Sequence, residues 1–355
     1  MAGMSNLDTR PDEMASEVSD GPAPPPGAVE VLQPRLVPLG GPRAMTVRRT
    51  LPQRQRSLIG GWCFIDHYGP DQVAQTGGML VPPHPHTCLQ TVSWLFTGEV
   101  EHRDSAGNHA LVRPGELNLM TAGRGIAHSE VSAPGTGVLH GVQLWVALPA
   151  AARFTDPGFE HYAPGLVRGD GFTARVFLGL VLGSSSPVTS YSPLLGAEIS
   201  IAAGGLLRIP ADPGFEHGVL VDAGQVTLSG AVVETARLGC VAAGAEVIEL
   251  AAGKDGDARV LLLGGTPLGE QIVMWWNFIG RGHDEIVQYR ANWQALIGAA
   301  PAGPAGAAGP GSRARAGGAI GPAGPDPGQF GLPVGDTLPP IPAPPLPNAT
   351  LRPRG

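Results

Sequence analysis

Lysine is almost absent: Lys254 is the only one in 355 residues. The 23 basic residues are therefore nearly all arginine, and against 30 acidic ones they leave a net charge of −7. That balance excludes a basic surface over the whole molecule and argues against direct nucleic-acid binding. Cysteine is also scarce. Cys63, Cys88 and Cys240 are too few and too scattered for a disulfide framework, and reduced thiols in a cytoplasmic setting fit them better. No apolar run reaches the roughly 18 residues of a membrane-spanning helix, and the first residues lack the apolar core of a secretory signal. A cytoplasmic protein without a membrane segment is expected.

Bulky apolar residues are missing from both ends. Residues 1–28 carry five acids, one arginine and a proline cluster, while 299–355 are dominated by Ala, Gly and Pro until Phe330. Such segments bury too little apolar surface to offset their ordering entropy, so both are expected to be disordered tails. The remainder is long enough for two domains, expected at 29–150 and 151–298.

What is present reads as strand. Leu89-Gln90-Thr91-Val92-Ser93-Trp94-Leu95-Phe96 is β-branched and aromatic-rich and ends at Thr97-Gly98; Val142 to Leu148 is similar and is closed by Pro149. Short strands punctuated by Gly, Pro, Asn and Asp predict an all-β sandwich or barrel. One segment, His283 to Ile297, has a helical period, with Ile286, Tyr289, Trp293, Leu296 and Ile297 on one face. That helix is expected to pack outside the second domain. A weak internal repeat, Thr97-Gly98-Glu99-Val100 against Ala223-Gly224-Gln225-Val226, suggests two copies of one small barrel.

Two short motifs carry the chemistry. His84-Pro85-His86 and His128-Ser129-Glu130 each place two donors at i, i+2, on one face of a strand. Side by side, two such strands would converge three imidazoles and a carboxylate. That donor set suits Fe, Mn, Ni, Cu or Zn. A closed structural zinc cage would more commonly use thiolates, and Cys88, two residues beyond His86, reads as a small buried hydrophobe. The second half has only Glu216-His217-Gly218 where the first has its H-x-H, so its copy is expected to hold no metal. Six arginines between Val31 and Ile65 read as solvated or structural, with a partner-binding patch as the weaker alternative. Arg124 reads as a turn residue or a reach toward the site mouth, His102 and His140 as structural, and Gln90 and Gln143 as amides that orient imidazoles.

These motifs resemble those of the pirin family, a bicupin group. The resemblance rests on Phe64-Ile65-Asp66-His67-Tyr68-Gly69-Pro70, Pro82-Pro83-His84-Pro85-His86, Glu99-Val100-Glu101-His102-Arg103-Asp104-Ser105, Met120 through Glu130, and His140-Gly141-Val142-Gln143-Leu144-Trp145. It covers roughly residues 30–297. Gln90 stands where a general cupin carries a carboxylate, a departure that pirins share. The resemblance implies two tandem cupin barrels, each a double-stranded β-helix or jelly roll, with a short C-terminal helix. It also implies an Fe(II) site on His84, His86, His128 and Glu130 in the first barrel and none in the second. For activity it implies a quercetin 2,3-dioxygenase acting on flavonol-like substrates with O2, with Glu130 doubling as catalytic base. The alternative it implies is an iron- or redox-responsive regulator that binds protein partners. A monomer is expected.

Overall fold

The computed structural model describes residues 25–39, 45–299, 325–353 and 355. The expected N-terminal tail up to residue 24 lies outside them. The chain builds the same all-β unit twice, each unit pairing a seven-stranded antiparallel sheet with a four-stranded one. In the first unit the large sheet runs in the order Gly158–Tyr162, Leu117–Thr121, Leu89–Thr97, Val138–Ala147, Trp62–Gln72, Met45–Leu51 and Arg35–Leu39. The small sheet runs Leu80–His86, Ile126–Ser132, Val100–Asp104 and His109–Val112. The second unit repeats this plan: Val29–Leu32, Leu238–Val241, Glu216–Ala223, Ala258–Gly265, Leu194–Ile201, Phe172–Leu178 and Val167–Gly169 face Leu206–Pro210, Val247–Ala252, Gln225–Leu228 and Ala231–Glu234. These are two tandem cupin-type barrels.

Strand alternation sorts the side chains. On Leu89–Thr97, Val92 and Trp94 point out of the barrel into a core shared with the second unit, while Ser93 turns inward to Glu130. The shared core brings Trp62, Trp94 and Leu144 against Phe177, Leu220 and Leu261, so the two large sheets pack face to face. Each such side chain contributes roughly 1.5–3 kcal/mol of transfer free energy. The barrel interiors differ: the second is lined by aliphatic side chains, including Val219, Val221, Val260 and Leu262.

The chain crosses the boundary expected at residue 150 in both directions. Val29–Leu32 hydrogen-bonds to Leu238–Val241 of the second barrel, and Gly158–Tyr162 to Leu117–Thr121 of the first. Each barrel thus lends an edge strand to the other, which caps an edge that would otherwise expose unpaired backbone.

Two expectations need correction. The helix His283–Leu296 packs on the first barrel, not the second: Ile286, Tyr289 and Trp293 are buried with Cys63, Phe64, Leu89 and Met120. The hairpin Val273–Trp275 and Phe278–Gly280 carries the chain back there, with Thr87 bridged to Phe278. Residues 325–353 are not a disordered tail either, whereas 300–324 and 354 lie outside the described residues. Phe330 and Ala343 are buried, and the segment docks along the helix as a strap. Trp293 Nε1 donates to the Ile341 carbonyl at 2.8 Å, Arg290 Nε to that of Pro344 at 2.6 Å, and the Ile341 amide to the Pro83 carbonyl at 2.9 Å.

Candidate metal centre

Two adjacent strands bring the histidines together. Leu80–His86 and Ile126–Ser132 pair antiparallel with His84 opposite His128, and the register slips between His128 and Glu130. A bulge of this kind re-aims side chains beside a site. It opens opposite Pro82-Pro83, where proline cannot continue the ladder.

The three imidazoles are buried, and their hydrogen bonds assign the tautomers. His84 Nδ1 donates to the Pro82 carbonyl at 2.9 Å, and His86 Nδ1 to that of Asn277 at 3.0 Å. Both Nε2 atoms therefore carry lone pairs. On the third ring, His102 Nε2 lies 3.3 Å from Asp104 Oδ2 and donates to it, so His102 Nδ1 accepts from His128 Nδ1 at 3.4 Å. All three Nε2 lone pairs face one point. His86 Nε2 and His128 Nε2 sit 3.1 Å apart, and His84 Nε2 is buried with no hydrogen-bond partner. Converging bare lone pairs repel unless a cation lies between them. Two nitrogens each about 2.1 Å from one ion at a right angle are about 3 Å apart, so the donor set fits a divalent metal. Burial depresses the basicity of all three rings, with His84 lowered to about 4 and His86 and His128 well below their ordinary value. At neutral pH they are uncharged and available.

Glu130 lines the same small cavity, with its carboxylate within 4.8 Å of ligand atoms on His128 and His102. Ser93 Oγ lies 3.0 Å from Glu130 Oε1 and 2.9 Å from Gln143 Oε1. Gln143 therefore acts on the carboxylate side of the site rather than orienting an imidazole. Burial pushes the Glu130 carboxyl up, with His102 and the Ser93 hydroxyl opposing. Trp145 stands edge-on to His86 at 5.0 Å and stacks on Phe64 at 4.0 Å, closing one wall. The cavity is about 20 Å³ and is also lined by Leu39, Met79 and Val81.

Other residues flagged by the sequence go elsewhere. Cys88 has φ +57°, which breaks the alternation that would aim it with His86, and its Sγ meets Tyr289 Oη at 3.7 Å. Gln90 turns toward the second barrel, donating to Thr121 Oγ1 and the Thr189 carbonyl. Arg124 pairs with Asp156 on the surface. The arginine-rich stretch is largely spent on structure: Arg49 forks onto Asp66 with both bonds at 2.6 Å, and Arg56 meets Glu30 and Glu216.

Two features were not read from the sequence. His102, taken as structural, supports His128 and stacks on Phe159 at 4.9 Å; the i, i+2 pair His102–Asp104 was its signal. The second feature is a buried cluster between the barrels. His67 Nε2 and His140 Nε2 each reach Asp222 Oδ1 at 2.7 Å, and Arg259 Nε holds Oδ2 at 2.6 Å. Burial alone would raise the Asp222 carboxyl, but hydrogen bonds from His140 and His67 outweigh it and hold it well below the usual range. Arg48 Nε donates to His67 Nδ1 at 3.4 Å, so His67 Nε2 carries a proton. Protons and two guanidinium groups satisfy this cluster.

Comparison with known proteins agrees with the fold. The Pirin family profile matches residues 44–146, and that of the Pirin C-terminal cupin domain matches 196–296. A Pseudomonas aeruginosa protein named "Putative quercetin 2,3-dioxygenase" is 41% identical over 82% of this chain and 91% of its own length. A Caulobacter vibrioides pirin-like protein is 36% identical over 70% of this chain and 88% of its own. The crystal structure of a quercetin 2,3-dioxygenase from Acinetobacter baumannii superposes with a TM-score of 0.71 at 36% identity, covering 84% of this chain and 98% of that one. With two cupin barrels and a buried histidine cluster in the first, the chain belongs to the pirin family.

Proposed function

We propose that the first barrel is a non-haem Fe(II) dioxygenase site of quercetin 2,3-dioxygenase type, with His84, His86, His128 and Glu130 as metal ligands. The observation that carries this reading is the convergence of three unprotonated Nε2 atoms, one of them without any partner, in a buried cavity beside a carboxylate. The relatives named quercetin 2,3-dioxygenases suggest the reaction class. Mn, Ni, Cu and Zn suit the same donors. The bound ion would supply Lewis acidity toward the flavonol 3-hydroxyl and redox capacity toward dioxygen.

The chain's own residues do the remainder. Glu130, a ligand that doubles as base, accepts the 3-hydroxyl proton. Ser93 fixes the carboxylate, while His102, backed by Asp104, fixes the His128 ring. Phe64 and Trp145 keep water from that wall of the cavity.

The test is aerobic bleaching of quercetin by Fe(II)-loaded protein with release of CO. A flavone lacking the 3-hydroxyl stays inert, and Glu130→Gln slows turnover by about 10²–10⁴. Unchanged bleaching by metal-free or Glu130→Gln protein refutes the reading.

One observation favours a second reading, an iron- or redox-responsive protein that binds protein partners without turnover. A cavity of about 20 Å³ holds a molecule of water size and no flavonol. Leu39→Ala with Met79→Ala removes two side chains that line it and widens the cavity. If quercetin consumption rises, entry limits an enzyme; if neither form consumes quercetin, the regulatory reading replaces the first.

A further inference from the structure

The second barrel has lost the donors of the first and gained space. In the first barrel His84 faces His128 across the small sheet. At the corresponding pair of strands in the second, Ile209 faces Ile248. Across the large sheet, Thr91 sits between Met120 and Trp145, whereas His217 on the matching strand sits between Val241 and Gly264. His217 therefore does not occupy the H-x-H position that the repeat suggested. Two ligand histidines have become isoleucines, and the tryptophan that walls the metal cavity has become a glycine.

The result is a cavity of about 470 Å³, against about 20 Å³ beside the histidines of the first barrel. Ligand pockets span about 300–1,000 Å³ and are mostly apolar with a few polar groups that orient the guest. This one has that make-up. Ile209, Phe215, Ile248 and Leu262 supply apolar wall. His217 also lines it, is 2% exposed, and its Nδ1 has no hydrogen-bond partner. A buried polar atom without a partner costs about 1–3 kcal/mol, a cost that a guest with a matching group removes. Desolvation lowers His217 to about 4, so the ring is neutral at pH 7 and offers one donor and one acceptor nitrogen. Asp212 is the only charged residue among those lining the cavity, so an anionic guest finds no cation to pair with.

We propose that the second barrel is a binding pocket for a neutral, largely apolar small molecule carrying one hydroxyl, which hydrogen-bonds to His217. This site is separate from the metal centre and does not depend on the reaction there.

The experiment uses full-length, metal-loaded protein with 1-naphthol and naphthalene as paired probes, titrated calorimetrically. One equivalent of 1-naphthol binds, and Ile209→Trp, which fills the cavity, or Ala211→Phe, which narrows it, weakens binding at least tenfold. His217→Leu weakens 1-naphthol about two- to twelvefold, the net worth of one hydrogen bond, and leaves naphthalene unchanged. Circular dichroism and metal content, equal to wild type in at least one cavity variant, show that the barrels remain folded. The proposal is overturned if 1-naphthol fails to bind up to its solubility limit. It is equally overturned if binding survives both cavity variants in folded protein, or if His217→Leu affects the two probes alike.

Discussion

Phe330 tests whether the C-terminal strap is part of the structure. It is 3% exposed, edge-on to Trp293 at 5.8 Å and 88°, and 5.9 Å from Phe278. Its carbonyl accepts from Ser105 Oγ at 2.5 Å, so the residue is held by its backbone as well as by its ring. Replacing a buried Phe by Ala costs about 3–5 kcal/mol, of which each aromatic pair supplies about 0.5–1.5 kcal/mol. The strap can also detach as a whole, so the realised loss is the smaller of this figure and its own docking energy. At about 2–4 °C per kcal/mol for a body of this size, Phe330→Ala lowers Tm by about 6–20 °C if the strap holds. The assay is scanning calorimetry on metal-free protein, because bound metal would mask the change. Deleting 325–355 should also uncover Trp275, Trp276 and Trp293, which share that core, and shift tryptophan emission to the red. A Tm shift under about 2 °C with unchanged emission refutes the docking.

Replacing His84, His86 or His128 by Ala should remove most of the bound metal while circular dichroism stays native; full metal content in all three variants would reject the site. His102→Leu, which leaves every proposed ligand in place, should lower metal affinity about 10–100-fold, the usual cost of losing a ligand's hydrogen-bond support, as read by competition with a chelator. Metal-free protein should lose stability as pH falls from about 6.5 toward about 4, because protonation of His84 favours the unfolded chain across that window; a flat denaturation midpoint from pH 7 to 4 would contradict this. Asp222→Ala should cost about 2 kcal/mol or more in urea unfolding. That is below the roughly 3–5 kcal/mol of a fully buried pair, since Arg259 is 30% exposed. No change would mean that water already serves the cluster.

The part of the site that was legible is the part with a period of two. His84, His86, His128 and Glu130 lie on two strands whose alternation could be read directly, and the structure brings the three rings together. Cys88 fell outside that rule because a positive φ reverses its direction, which no local pattern announces. Asp222 meets His67 from 155 residues away, and such pairings depend on how the barrels dock. The strap misled for a different reason. Composition counts apolar side chains, yet this segment is held largely through its backbone, by Trp293, Arg290 and Gln294 of the helix and by the Pro83 carbonyl. An extended proline-rich segment needs few bulky residues to dock when its neighbours supply donors and acceptors for its backbone.

The exchanged edge strands and the strap have a consequence for the order of assembly during synthesis. The second barrel takes Val29–Leu32 from an early part of the chain and otherwise closes with Ala258–Gly265. The first barrel must wait longer. His86 is oriented by the Asn277 carbonyl, and Pro83, beside His84, is bonded by Ile341. Translation therefore delivers the histidines early and these supports later, so the candidate metal pocket gains the Pro83 bond only once residue 341 has emerged. A nascent chain stalled before residue 325 carries every candidate ligand and still lacks the Ile341 amide that bonds the Pro83 carbonyl beside them.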